Sequence, residues 1–225
     1  MTDHAEMFDS LQVAIEKRIP GFQVCYKDEN FVSKLLGVLV FIFNPKYMKT
    51  YTTTRYPKVY FPTRKFVTSD LKRAWKILAH EYVHLWDRYH KPAFNFTYLL
   101  PQIGAFLALP AILAVWFSNW FLLFLVALIL VLPWPASARR NAELRGYTMS
   151  MAINFWRYGT VSEDTKVWIT ENFTGWSYYK MWPFNMRKQI DAAVKDITNG
   201  AVFKWEHAEP YKEVHDLMQE KGLTR

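Results

Sequence analysis

Ala79-His80-Glu81-Tyr82-Val83-His84-Leu85-Trp86-Asp87 is the stretch on which the reading turns. It contains HExxH. On a helix, His80 and His84 are one turn apart and project from the same face. Two imidazoles so placed can take two positions around a tetrahedral zinc. Glu81 points about a third of a turn away. That keeps it off the metal but beside the water a catalytic zinc carries, where a general base is needed. The flanks agree with a helix. Ser69 to Tyr89 lacks Pro and Gly, Thr68, Ser69 and Asp70 offer N-cap oxygens, and Pro92 stops the run. Leu71, Ala74, Trp75, Leu78, Val83 and Leu85 supply apolar faces at helical spacing.

A catalytic zinc needs a third protein ligand. Glu143, in Arg139-Arg140-Asn141-Ala142-Glu143-Leu144-Arg145-Gly146-Tyr147, is the favoured candidate. The alternative for it is a plain helix carboxylate paired with Arg139 or Arg140. His90 stands six residues after His84, the HExxHxxGxxH spacing, and competes for the same role. That pattern needs a sharp turn where this chain has Asp87, and Asp takes positive φ less readily than Gly. Asp87 itself reads as a partner that fixes an imidazole or binds an arginine. The second donor for an oxyanion is open among Tyr147, Tyr178, Tyr179 and His207.

Outward from the motif, the chain changes character after Lys91. From Pro92 to Ala138 no residue is charged. Thr97 to Phe117 is long enough to cross a bilayer as a helix. Trp120 to Trp134 is shorter, about 22 Å at 1.5 Å per residue. Trp116, Phe117, Trp120 and Phe121 bracket the turn at Ser118-Asn119, and Phe96, Tyr98 and Trp134 mark the other end, as interfacial aromatics do. Arg88 and Lys91 precede the stretch, and Arg139, Arg140 and Arg145 follow it. Basic residues at both ends predict that both face the cytoplasm. A helical hairpin buried in protein is the competing reading.

The chain has 225 residues, one cysteine and a net charge of +8. One domain with a real core is expected over residues 1–225, with the hairpin, residues 94–135, inserted between the two motif helices. A lone Cys25 excludes an internal disulfide and a cysteine-built zinc site. The basic balance suits an anionic membrane surface; no basic run or nucleic-acid motif is present, so no nucleic acid is expected as partner. The first thirty residues carry Asp3, Glu6, Asp9, Glu16 and Lys17 and no apolar core, so no signal peptide is expected.

Residues 4–19 read as an amphipathic helix, Phe22 to Tyr26 as a short strand, and Phe31 to Phe43 as a core or interfacial segment. Tyr47 to Thr54 and Lys58 to Phe61 read as two antiparallel strands. Ser137 to Tyr158, Glu163 to Trp176, Asn185 to Thr198 and Glu209 to Glu220 read as helices. Gly175 to Phe184 is an aromatic loop, either lining a cleft or packed on the surface.

HExxH, an apolar hairpin, then a glutamate on a later helix resembles the membrane-embedded gluzincins of the HtpX heat-shock protease and CAAX prenyl protease kind. The resemblance covers residues 58–150. It implies an α+β, mostly helical zincin-like fold with a small antiparallel sheet. It also implies a Zn2+ cofactor on His80, His84 and Glu143, with Glu81 as general base. The activity implied is zinc metalloendopeptidase, acting on a peptide or protein substrate at a lipid bilayer, with the catalytic domain on the cytoplasmic side. Val59-Tyr60-Phe61 would be the edge strand that pairs with substrate; a plain structural hairpin is the alternative there. Two departures stand out. Only Phe31 to Phe43 precedes HExxH where the family has a transmembrane pair, and Gly146-Tyr147 replaces a small residue and Asp. Two rival functions remain. One is a membrane-inserting structural component, as of a phage or secretion device, with an accessory zinc site. The other is a soluble metzincin-like peptidase with a Met-turn at Met149, Met151 or Met181.

Overall fold

A computed structural model of the chain describes residues 2–41, 45–132, 134–175 and 181–225. In order the elements are α1 (Thr2–Arg18), β1 (Gln23–Tyr26), α2 (Phe31–Val40), β2 (Thr53–Arg55), β3 (Lys58–Phe61), α3 (Arg64–Ser69) and α4 (Leu71–His90). Then come α5 (Phe94–Leu99), 3-10 stretches Gln102–Val115 and Asn119–Val131, α6 (Ser137–Tyr158), α7 (Glu163–Thr174), α8 (Met186–Thr198) and α9 (Glu209–Glu220). The class is α+β and mostly helical.

The centre of the fold is α4. Asp70 caps it, its carboxylate accepting the backbone N–H of Arg73 at 2.9 Å. That offsets one of the four orphan donors of a helix start and stabilises it by roughly 1 kcal/mol. Apolar residues surround α4: Ala74, Trp75, Leu78, Ala79, Tyr82, Val83 and Leu85 are all fully buried. A helix apolar on most sides must be covered on most sides. It packs against α1, α6 and α9. Two hydroxyl and indole groups on α4 reach α9: the Tyr82 hydroxyl donates to Glu213 at 2.6 Å and the Trp86 indole to Glu209 at 3.1 Å.

The sheet is mixed, not antiparallel as expected. Its order is β1-β3-β2, with β1 parallel and β2 antiparallel to β3. β1 arrives through the long excursion of α2, and a crossover of that kind allows parallel pairing where a tight hairpin does not. β3 is therefore the central strand. Val59 and Tyr60 are paired on both sides and Val59-Tyr60-Phe61 is buried, so it cannot be an open edge; β1 and β2 are the edges. The segment before β2 is also shorter in strand than its β-branched composition suggests. Residues 47–50 form turns, and the strand runs only over Thr53–Arg55.

The apolar stretch departs most from expectation. Among the described residues, no helix is long and apolar enough to cross a membrane. Thr97 to Phe117 is not one α-helix. α5 stops at Leu99, and Leu100 is extended at φ −68°, ψ 144°, as the residue before a proline tends to be. Pro101 then starts the first 3-10 stretch, which packs against the second. Their apolar side chains face outward: Phe106, Leu107, Val115, Trp116, Trp120, Leu123 and Val126 are exposed. α2 does the same. Phe31, Leu35 and Val38 lie at helical spacing on one exposed face. It is thus a surface element rather than part of the core. Ile42 to Asn44 lie outside the described residues.

Candidate metal centre

The lower half of α4 presents His80 and His84 to α6, which presents Glu143. Nε2 of His80 and Nε2 of His84 are 3.1 Å apart. Glu143 Oε2 lies 3.7 Å from the first and Oε1 3.9 Å from the second. Donors about 2.0–2.1 Å from a tetrahedral zinc sit about 3.4 Å from one another. The three edges bracket that value. Among the described residues this is the group of three His, Cys, Asp or Glu side chains that could hold a metal. Two imidazoles and one carboxylate, without thiolate, suit zinc or a similar divalent ion.

Close approach of α4 and α6 depends on Gly146. A Cβ there would meet Nε2 of His80 at 2.5 Å and Cε1 at 2.6 Å. The imidazole fills the space a side chain would take. Tyr147 adds its ring edge-on to His80, centroids 5.1 Å apart, and its hydroxyl accepts from Asn172 at 3.1 Å. α5 closes the other side. The Tyr98 hydroxyl donates to Glu143 Oε1 at 2.5 Å, and the Phe94 ring lies 6.4 Å from that of His84. Glu143 does not pair with Arg139 or Arg140. Arg139 donates to the Tyr98 carbonyl and to Gln102, and Arg140 to Asn141. Burial alone would push the Glu143 carboxyl up. The His80 and His84 imidazoles and the Tyr98 hydroxyl outweigh it and hold the pKa down to about 2. For His80, burial would favour the neutral ring, but Glu143, Glu81 and a backbone hydrogen bond at Gly146 raise its pKa. The Glu143 carboxylate and the His80 imidazole each favour the charged form of the other.

Glu81 is buried on the next face of α4. Its Oε2 accepts from the Thr54 hydroxyl at 2.6 Å. The edge strand β2 thereby fixes the carboxylate. Lys27 is fully buried in the same neighbourhood, its ammonium donating to the Tyr47 carbonyl at 3.0 Å and lying over the Tyr47 ring. Desolvation lowers its pKa to about 7, against the attraction of Glu81. His80, Glu81 and Tyr147 open onto a cleft of about 760 Å³, whose other walls include Thr52, Lys76, Trp168 and Asn172.

The remaining candidates separate from the site. α4 stays helical through His90, so the chain makes no turn at Asp87. His90 Nδ1 lies 3.0 Å from the Trp86 carbonyl, and its ring packs between Trp86 and His207. Asp87 binds an arginine: Arg145 Nε donates to Oδ2 at 2.9 Å. Met149 and Met151 sit inside α6 rather than in a turn. Tyr178 and Tyr179 lie outside the described residues, as does half of the aromatic loop, residues 176–180.

Sequence reasoning missed Thr54, Tyr98, Gly146 and Lys27. Only Gly146 left a signal, a glycine inside an apolar helical pattern three residues after the candidate ligand.

Compared with protein-family models, with curated proteins and with solved structures, the chain finds no match.

Proposed function

We propose that the protein is a zinc-dependent endopeptidase working at a membrane surface. The observation that carries the reading is the convergence of His80, His84 and Glu143 from two helices, with Glu81 beside them on the wall of an open cleft. Zinc bound there would supply Lewis acidity, lowering the pKa of a coordinated water toward about 7 and polarising a carbonyl. Glu81 then acts as the proton carrier. Thr54 holds its Oε2, which leaves Oε1 to take the proton of the attacking water and return it to the leaving amine. Tyr98 pins Glu143 from behind, and Gly146 lets the His80 ring sit against α6. Tyr147, in the cleft beside His80, is the group placed to donate toward a developing oxyanion. β2 is the strand with an open edge next to Glu81, so it takes the substrate-pairing role first assigned to Val59-Tyr60-Phe61.

Membrane association rests on the outward apolar faces of the hairpin and α2, together with Trp116, Phe117 and Trp120 at the tip. Exposed apolar surface of that extent is not left wet. Basic residues before and after the hairpin favour the cytoplasmic side. The same exposed hairpin favours a second reading, a membrane-inserting structural component with an accessory zinc site.

One pair of proteins separates the two. Glu81→Gln removes the base but no ligand. We expect it to keep its zinc and to lose casein hydrolysis by about 10²-fold or more, the size of a general-base contribution. Wild type that binds zinc yet hydrolyses no faster than Glu81→Gln would favour the structural reading.

A further inference from the structure

The cleft beside Glu81 is unevenly charged. Lys46, Lys72, Arg73 and Lys76 line it against two carboxylates, Asp70 and Glu81. Both of those are engaged, Asp70 with the backbone N–H of Arg73 and Glu81 with Thr54. Elsewhere, cations of this protein find carboxylates: Arg64 with Glu29, Arg145 with Asp87, and Lys166 and Arg187 with Glu163 and Asp191. Among the described residues, Lys72, Arg73 and Lys76 pair with no carboxylate, and the Arg73 guanidinium lies over the Phe66 ring. Lys76 is half-buried, and its ammonium donates to the neutral Asn154 at 2.8 Å. Burial, then the charges of Lys72 and Arg157, lower its pKa to about 8. The wall thus carries a positive field that the fold leaves uncompensated, with the positive end of the α4 dipole added to it.

Resting on the peptidase reading, we propose that the cleft selects acidic peptides, with Lys72, Arg73 and Lys76 binding substrate carboxylates on one side of the scissile bond. The helix sets the positions. Lys76 is one turn before His80 and Lys72 two turns, about 6 Å and about 12 Å along the axis. An extended peptide advances about 3.3–3.6 Å per residue. The basic groups therefore face the second and the third or fourth residues from the bond that is cut. A focused positive cleft also raises the encounter rate for such a substrate.

The test uses the zinc-loaded Glu81→Gln protein, so that binding is read without cleavage. Peptides carrying a neutral fluorophore hold Glu at the second and fourth positions, before or after the central bond, and a matched pair holds Gln. Anisotropy titrations give the affinities. One acidic peptide should bind about tenfold more tightly than its Gln counterpart at low salt, the sum expected of a few exposed ion pairs. The margin should shrink to about twofold near 0.5 M salt, where such pairs are screened. Adding Lys72→Gln and Lys76→Gln should abolish it. Equal binding of acidic and neutral peptides, or a preference that survives both substitutions, overturns the assignment. Hydrolysis of the neutral peptide by wild type reports separately on the peptidase reading.

Discussion

A Cβ on Gly146 would collide with the imidazole of His80, 2.5 Å from Nε2. The contact is with a rigid ring already held by Glu143, His84 and Tyr147. Ala is also the better helix former, so Gly146→Ala should leave α6 intact or firmer. The damage falls on the site. We expect zinc affinity, read by competition with a chromogenic chelator, to drop about 10–100-fold, as for other groups that orient a ligand. Unchanged affinity would mean that the His80 ring need not lie against α6. At this scale the pattern His80, Glu81, His84 was legible because four-residue spacing on a helix is a local property. Glu143 was legible as an ionisable group on a helix following the apolar stretch. Thr54 and Tyr98 were not. Each touches its carboxylate only after the chain has folded back, Thr54 from β2 onto α4 and Tyr98 from α5 onto α6. Tyr98 had read as an interfacial aromatic of the hairpin, and its hydroxyl instead ends on Glu143.

Between elements, α4 and α6 are locked by more than apolar packing. Asp87 is almost completely buried, and Arg145 spans from it to the carbonyls of Glu206 and His207. Removing one partner of a buried pair leaves the other charge uncompensated, which costs about 3 kcal/mol. Asp87→Ala should lower the unfolding free energy by that order in urea titrations. A change below about 1 kcal/mol would show that the pair contributes little to holding α6. The role also corrects Arg145, which read as a basic flank of the hairpin and is spent inside the domain. Helix existence was easy to see: α6 and α9 fill the expected Ser137 to Tyr158 and Glu209 to Glu220, α6 stopping at Gly159 in the left-handed region and α9 starting with Pro210 in its first turn. Sheet topology was not, because a four-residue strand such as β1 carries no mark of which partner it joins or in which direction. The first arm, Thr97 to Phe117, fails as one α-helix for a local reason: Leu100, before Pro101, is turned extended and ends α5, while nothing in the structure explains why Asn119–Val131 is 3-10.

Over the whole molecule, two surfaces stand apart: the cleft wall carries Lys46, Lys72, Arg73 and Lys76, while the hairpin and α2 hold exposed Phe, Trp, Leu and Val. The protein should sediment with vesicles of mixed neutral and anionic lipid. Leu123→Asp with Val126→Asp places charges on two exposed positions of the hairpin, each costing about 2.5–3.5 kcal/mol deep in a bilayer. Bound fraction should fall at least tenfold with zinc content unchanged. Equal sedimentation of both proteins, or none of either, would contradict insertion.

Zinc content per chain, after dialysis against a weak chelator, reports on the metal centre itself. Wild type should retain about one zinc, His90→Ala about the same, and Glu143→Ala very little, since three protein ligands become two. Full zinc in Glu143→Ala with loss in His90→Ala, or no zinc in wild type, would contradict the account.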